Sequence, residues 1–396
     1  METRPSDYDF GPMHEAVQKY LDDDFLAMAS SVILEGGEPV DFHLWGHQDR
    51  EAGIPLAADS IFRIYSNTKI ITSVAAMTLW EEGRFDLDDP VEKHLPQLAG
   101  LSVLREGATD AADAEPLDTP PTIRQLMSHS AGFSYGFLLE SPVDAVYTER
   151  NLSRPDSTLE DLVEALADIP LANRPGTRFQ YSVATDVLAR LVEVLSGERF
   201  DRVLARRIFE PLGMVDTDFH VPASKHDRFC VNYAARDQMD PMVPGLDAAP
   251  DVLLGSYLAP KPFLSGGGGL VSTILDYTRF IRMIVGGGTL EGTRILDAAT
   301  LDLMRENQLP EGAGVQFPFW HMPDTVFGLG FALKTAPAAG EPDAATGEYH
   351  WGGMAGTHSW MSPAADIAAL VFTQRLPGFW HPFSHEYKRQ VYAAVT

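Results

Sequence analysis

The sequence predicts an α/β (α+β) fold: an antiparallel sheet flanked by helices and built from both chain termini, with a mainly helical domain inserted between them. Three observations predict it. Strand patterns occur near the start and return in the last third, and the middle is helix-rich. The late strands are joined by short turns, which favour antiparallel pairing. The expected division is 1–65 with 266–396 for the sheet domain and 66–265 for the helical domain, with a cleft between them.

Residues 11–28 read as a helix, with Met13, Val17, Tyr20 and Leu21 on one face. The apolar run Ser31–Leu34, the turn Glu35-Gly-Gly-Glu-Pro and the alternating Val40, Phe42 and Leu44 read as a strand pair. A third strand, 61–65, runs straight into a helix that starts at Ser66 and stops near Gly83. Thr122 caps a helix through Met127, and Thr158 caps another whose inward residues are Leu159, Leu162, Val163 and Leu166. Ser182 caps a helix to Leu195 that Gly197 stops. The acidic, proline-ended stretch 106–121 reads as a surface loop. Four glycines, 266–269, precede a helix over 272–285, and strands are expected at 327–334, 348–351, 357–361 and 367–374.

Composition excludes several classes. The chain has 396 residues, 45% hydrophobic and 22% charged, which is ordinary for a globular protein with a substantial core. Thirty basic against 56 acidic residues leave a formal charge of −26, which disfavours nucleic-acid backbones and anionic membranes as partners. Cys230 is the only cysteine, so no intrachain disulfide and no cysteine-rich zinc site is expected. His381 and His385 are four apart, but no nearby third ligand accompanies them, so no metal is expected. The start has no basic-then-apolar signal pattern and no run of 18 apolar residues occurs, so a cytoplasmic location is expected.

Ser66-Asn-Thr-Lys69 at a strand-to-helix junction is the first element that can carry chemistry. Residues three apart share a helix face, so the hydroxyl and the amine can meet. A serine is a weak nucleophile until a neighbour accepts its proton. The helix start also offers unpaired N–H groups that suit an oxyanion. The second element is Tyr181, whose phenol beside a lysine ammonium can act as base and then as acid. The third is His350-Trp351-Gly352-Gly353-Met354, where two glycines permit close backbone approach and an edge N–H can complete an oxyanion hole. Whether Lys69 or Tyr181 is the base stays open at this level. The Gly266–Gly269 run lacks the lysine of a phosphate loop and reads as a mobile wall of the cleft. Ser128-His-Ser-Ala-Gly132 fails the nucleophile-elbow pattern in its first position, and His129 reads as a structural hydrogen-bonding residue.

These motifs, together with Gly83–Pro90, Thr122–Gly132, Pro175–Val183, Ile208–Met214 and Gly266–Thr273, occur in an order that resembles one known group. The chain is similar to serine β-lactamase-like hydrolases of the class C and penicillin-binding type, and within that group to the family VIII carboxylesterases. The resemblance spans about residues 10 to 390. It implies Ser66 as nucleophile, Lys69 as its partner and Tyr181 as the tyrosine of the second motif. It implies an oxyanion hole from the N–H groups of Ser66 and Met354, and Trp351-Gly352-Gly353 in place of the Lys-Thr-Gly strand motif. Tyr135 and Phe137 are implied as pocket walls, and no cofactor is implied. Two departures matter: Val183 stands where the β-lactamases have asparagine, and Trp351 where they have lysine. Both remove polar recognition of a carboxylated amide, so short-chain neutral esters are the expected substrates. β-Lactamase, D-amino peptidase or acyltransferase activity, and a non-catalytic sensor of the same fold, are the alternatives. Lys334-Thr-Ala336 mimics the missing motif but closes an earlier strand and reads as a decoy.

Overall fold

The computed structural model describes residues 1–251, 254–318, 320–378 and 381–396. Helix α1 (Gly11–Asp22) buries Met13 and Val17. It stops well before residue 28, because Asp24 turns left-handed at φ +60° and Met28 already opens the first strand. Strands β1 (Met28–Glu35) and β2 (Glu38–Asp49) pair through the turn at Gly36 and Gly37, both at positive φ. Short strands β3 (Ile54–Pro55) and β4 (Phe62–Arg63) follow, so the strand expected over 61–65 shrinks to two residues.

Helix α2 (Thr68–Glu81) is buried along nearly its whole length. Helices α3 (Ile123–Met127) and α5 (Leu159–Leu166) begin at the expected caps, each closed by a reciprocal capping box from Thr122 and Thr158. Between them lies α4 (Pro142–Arg150), which the sequence reading lacks. Helix α6 (Ala184–Ser196) ends on Gly197 at φ +73°, as expected, but its N-cap position is Val183 rather than Ser182. Helices α7 (Phe200–Leu204) and α8 (Glu210–Leu212) complete this region. The expected loop 106–121 is interrupted by a short strand, Ala114–Pro116, which pairs with Ser102–Leu104 in a small hairpin.

Strand β5 (Val271–Ser272) pairs with β4 and leads into α9 (Ile274–Val285), capped by Thr273. Then come α10 (Ala298–Met304) and a hairpin of β6 (Gln316–Phe317) with β7 (Trp320–His321). The single strand expected over 327–334 is two, β8 (Thr325–Phe327) and β9 (Ala332–Lys334), because Gly330 at φ +99° reverses the chain. Strands β10 (Tyr349–Gly353), β11 (Thr357–Ser362) and β12 (Ile367–Phe372) lie close to their expected places. The chain closes with α11 (Phe383–Val395), also absent from the sequence reading.

The eight-stranded sheet has the order β8-β9-β10-β11-β12-β1-β2-β3, and every neighbouring pair is antiparallel. Strands from both ends of the chain meet where β1 pairs with β12. Alternation decides what each face buries. Ala368, Leu370 and Phe372 of β12 point into the core shared with α2, α6 and α9, while Ile367, Ala369 and Val371 point at α1 and α11. On β10 the same alternation puts Trp351 and Gly353 on the α2 side, where the candidate site lies. Among the described residues, no helix is long and apolar enough to cross a membrane.

Candidate active site

Ser66 sits in a single 3-10 turn, Tyr65–Asn67, directly before α2, and Lys69 lies in the first turn of that helix. The turn is held in a costly shape. Tyr65 has φ +42°, where a Cβ costs about 1–2 kcal/mol. Neighbours over-determine it. Asn67 Nδ2 donates to the Thr357 carbonyl at 2.9 Å, Thr357 Oγ1 donates to the Ile64 carbonyl at 3.1 Å, and Asn232 Nδ2 donates to the Tyr65 hydroxyl at 3.1 Å. Strand β10 presses close beside this turn. A Cβ on Gly353 would lie 2.3 Å from the Ile64 carbonyl oxygen, so only glycine allows the approach. Met354 follows directly, with its carbonyl accepting from Gly378 N–H at 2.7 Å.

Around the serine the structure brings together three of the residues singled out from sequence. The Tyr181 hydroxyl donates to Ser66 Oγ at 2.7 Å, and Lys69 Nζ donates to the same oxygen at 3.3 Å. Lys69 also donates to the Gly267 carbonyl at 2.6 Å and to the Tyr135 hydroxyl at 3.2 Å. A carbonyl can only accept, so a Lys69 proton is committed there. The ammonium lies 4.6 Å from the centre of the Tyr181 ring.

Tyr135 is therefore more than a wall: its hydroxyl belongs to the lysine's shell. Burial first, then the charges of Asp186 and Tyr181, push its phenol well above the ordinary range, which keeps it neutral. Phe137 stacks on Tyr135 at 4.9 Å and is 56% exposed, at the rim. Trp351 is buried and packs against Tyr181 at 5.5 Å. Gly352 lies under His358, whose Nδ1 would sit 2.3 Å from an added Cβ. Val183 is buried, and Lys334 lies on β9 paired with Glu341. His129 packs on Tyr181 at 5.0 Å with Nδ1 3.3 Å from Ser182 Oγ. Burial, and then the Lys69 charge, drive its pKa well down, so it is neutral.

One feature escapes the sequence reading and a second departs from it. Asp186 is buried in the first turn of α6, where it accepts from Ser265 Oγ at 2.6 Å and from Gly267 N–H at 3.0 Å. It thereby fixes the peptide whose carbonyl holds Lys69. Burial pushes its carboxyl up, against the opposing pull of the Ser265 hydrogen bond and the Lys69 charge. The second feature is the glycine run itself. It is buried and pinned, not mobile. Thr72 Oγ1 donates to the Gly266 carbonyl at 2.7 Å, and a Cβ on Gly267 would lie 2.7 Å from the Tyr135 hydroxyl and 2.8 Å from Asp186 Oδ2. A signal for Asp186 exists in its place five residues after Tyr181, on the inward face of a strongly amphipathic helix.

A serine hydroxyl at a helix start, bonded to both a lysine and a tyrosine, is the working arrangement of a serine hydrolase. The chain belongs to the Beta-lactamase family, whose model matches residues 14–393. Esterase EstB of Burkholderia gladioli is 30% identical over 93% of this chain and 91% of its own length. The solved structure of EstCE1, described as a hydrolase with promiscuous acyltransferase activity, superposes with a TM-score of 0.76 at 25% identity, covering 96% of this chain and 97% of that one. A mutant of simvastatin synthase from Aspergillus terreus shares the fold with a TM-score of 0.80 at 23% identity, over 96% of this chain and 94% of its own.

Proposed function

We propose that the protein is a serine carboxylesterase that hydrolyses short-chain esters through an acyl-enzyme on Ser66. The observation that carries this reading is Ser66 Oγ held between the Tyr181 hydroxyl at 2.7 Å and Lys69 Nζ at 3.3 Å. The neutral-ester preference is supported by the apolar Trp351 and Val183 where β-lactamases carry polar groups. The esterase relative EstB is consistent with it.

We take Tyr181 as the base, with Lys69 as its cationic partner. Lys69 donates to Gly267, Tyr135 and Ser66, which employs all three protons of an ammonium. Tyr181 is the remaining group at the serine oxygen. In its phenolate form, stabilised by the Lys69 charge, it takes the Ser66 proton as Oγ bonds to the ester carbon. The carbonyl oxygen becomes an oxyanion on the N–H groups of Ser66 and Met354. Collapse breaks the carbon–alkoxy bond, and Tyr181 returns its proton to the departing alkoxide. Water then repeats the sequence on the acyl-enzyme: Tyr181 takes its proton, the acid leaves, and Ser66 regains a proton. Transfer to an alcohol in place of water is the second reading, favoured by the aromatic rings that surround Tyr181.

The test pairs wild type with Ser66→Ala on a short-chain p-nitrophenyl ester and a chromogenic cephalosporin. Ester turnover should fall by about 10³-fold or more in the variant. Cephalosporin cleavage that exceeds ester cleavage in the wild type would overturn the esterase reading.

A further inference from the structure

The two N–H groups proposed for the oxyanion come from parts of the chain far apart in sequence. Ser66 lies in the turn before α2, and Met354 lies between β10 and β11. A pair of donors stabilises a developing charge best when their spacing is fixed before the reaction. The fold must therefore tie these two segments together.

The tie is a closed ring of three hydrogen bonds. Asn67 N–H donates to the Ile64 carbonyl at 3.1 Å. Asn67 Nδ2 donates to the Thr357 carbonyl at 2.9 Å, across 290 residues of chain. Thr357 Oγ1 donates back to the Ile64 carbonyl at 3.1 Å. Ile64 and Asn67 bracket Ser66. Thr357 opens β11, shortly after Met354. The Tyr277 hydroxyl donates to the Asn67 carbonyl at 3.1 Å, so α9 anchors the same residue. Asn67 and Thr357 are both fully buried.

The chemistry of the partner orients the Asn67 amide, because a carbonyl can only accept and Nδ2 must face it. Oδ1 is then left buried and, among the described residues, without a partner. An unmatched buried acceptor costs stability. A leucine in its place would remove the orphaned oxygen and the bond to Thr357 together, so stability gives little reason for an asparagine here.

We propose that Asn67 is a positioning residue for the oxyanion: its side chain clamps the Ser66 turn to the β10–β11 hairpin and so sets the spacing between the Ser66 and Met354 N–H groups. The proposal rests on the acyl-enzyme reading above. Asn67 acts through the backbone on either side of the ring, with Thr357 as the second link.

The experiment compares wild type, Asn67→Leu and Thr357→Val on a short-chain p-nitrophenyl ester. Each variant removes one side-chain link of the ring with little change in volume. The readouts are thermal melting, kcat and KM, and Ki for an alkyl trifluoromethyl ketone, which forms a tetrahedral oxyanion adduct on a nucleophilic serine. In Asn67→Leu, kcat and kcat/KM should fall together by about tenfold or more, which leaves KM within about twofold of wild type. Ki for the ketone should rise by a factor similar to the fall in kcat, because the adduct resembles the transition state. The melting temperature should stay within a few degrees of wild type. Thr357→Val should show the same pattern more weakly, since the Ile64 carbonyl keeps the Asn67 N–H. It carries the test if Asn67→Leu does not fold. Near-native kcat in folded Asn67→Leu would overturn the proposal, and so would a fall in kcat with Ki unchanged. Failure of both variants to fold would assign the ring to the fold and overturn it as well. A wild type that does not turn over the ester would overturn the esterase reading and this proposal with it, whereas an active wild type with an equally active Asn67→Leu overturns the proposal alone.

Discussion

At the scale of the residue, Asp186 shows how a buried carboxyl can set the position of a lysine through an intervening peptide. Its carboxylate accepts from Gly267 N–H and Ser265 Oγ, and the Gly267 carbonyl then receives the shortest of the three Lys69 hydrogen bonds. Both bonds fall on Oδ1, so Asp186→Ala removes the shared acceptor and leaves Ser265 Oγ and Gly267 N–H without it. The expected cost is about 1–3 kcal/mol of stability, readable by urea unfolding. Steady-state kinetics should show kcat falling by about tenfold or more with KM little changed, because the displaced Lys69 acts on the transition state. A loss of stability with kcat intact would assign Asp186 to folding alone. Ser66, Lys69 and Tyr181 were legible because each sits at a recognisable junction: a Ser-x-x-Lys spacing at a helix start and a tyrosine just before a second helix. Asp186 was not, because it looks like an ordinary inward polar residue of an amphipathic helix. Trp351 was legible as a replacement for lysine, but its burial against Tyr181 depends on packing that periodicity does not report.

At the scale of the element, strand β10 and the Ser66 turn are set by a glycine rather than by a side chain. Gly353→Ala would drive a methyl against the Ile64 carbonyl at 2.3 Å, so the strand and the turn must part. Overpacking of this kind costs about 1–3 kcal/mol. The larger effect should fall on rate. A shift of about 1 Å between Ser66 and Met354 would open the proposed oxyanion pair and should lower kcat by about a hundredfold. A thermal melt together with ester kinetics checks this: a folded variant with near-native kcat would show that the pairing of turn and strand is not needed for turnover. The elements themselves divide by how local their causes are. α3 and α5 start where Thr122 and Thr158 predicted, because a capping box is a contact three residues long. α1 ends sooner than its periodicity implies, because the stop at Asp24 is a backbone twist with no glycine to announce it. α11 was missed although Phe383, Tyr387 and Val391 repeat every four residues. Its first turn follows Pro382 and carries His385 and Glu386, and its apolar face makes sense only against α1 and β12. The strand expected over 327–334 was split by Gly330, a turn that alternation alone hides.

At the scale of the whole molecule, the far face of the sheet is closed by α11 through buried charges and neutral histidines, and this makes stability pH-dependent. Lys388 bridges Glu341 at 2.9 Å and Glu348 at 3.0 Å, and Tyr392 donates to Glu348 at 2.8 Å. Burial alone would raise the Glu341 carboxyl, but the Lys388 charge and the bonds from Lys334 and Lys388 outweigh it and hold it at about 2. Its stabilising contribution is present above its ordinary value of 4.5 and is lost as pH falls towards about 2. The histidines act earlier. Burial, then the charges of His385 and Lys388, push His358 down to about 3 from 6.5, and burial, then Arg375, hold His381 at about 3. His350 lies well below its ordinary value, first from burial and then from Lys388. Each is neutral when folded and takes a proton when unfolded, so between about 3 and 6.5 the unfolded chain binds more protons and stability must rise with pH. Asp186 and Asp276 oppose this, since burial raises both and folding favours their protonated forms, but these are two carboxyls against four histidines that burial lowers, His129, His350, His358 and His381. Between pH 5 and 6.5 the histidine effect should therefore dominate, with each buried histidine adding a slope of about 1.4 kcal/mol per pH unit. Urea unfolding at pH 5.0, 5.5, 6.0 and 6.5 should show stability falling with acid, and His358→Gln should remove about one histidine's share of that slope while leaving ester turnover at pH 7.5 close to wild type. A variant with the wild-type slope would mean that His358 stays uncharged in the unfolded chain or is already charged in the folded one. Either finding would move the acid sensitivity away from the sheet face that α11 covers.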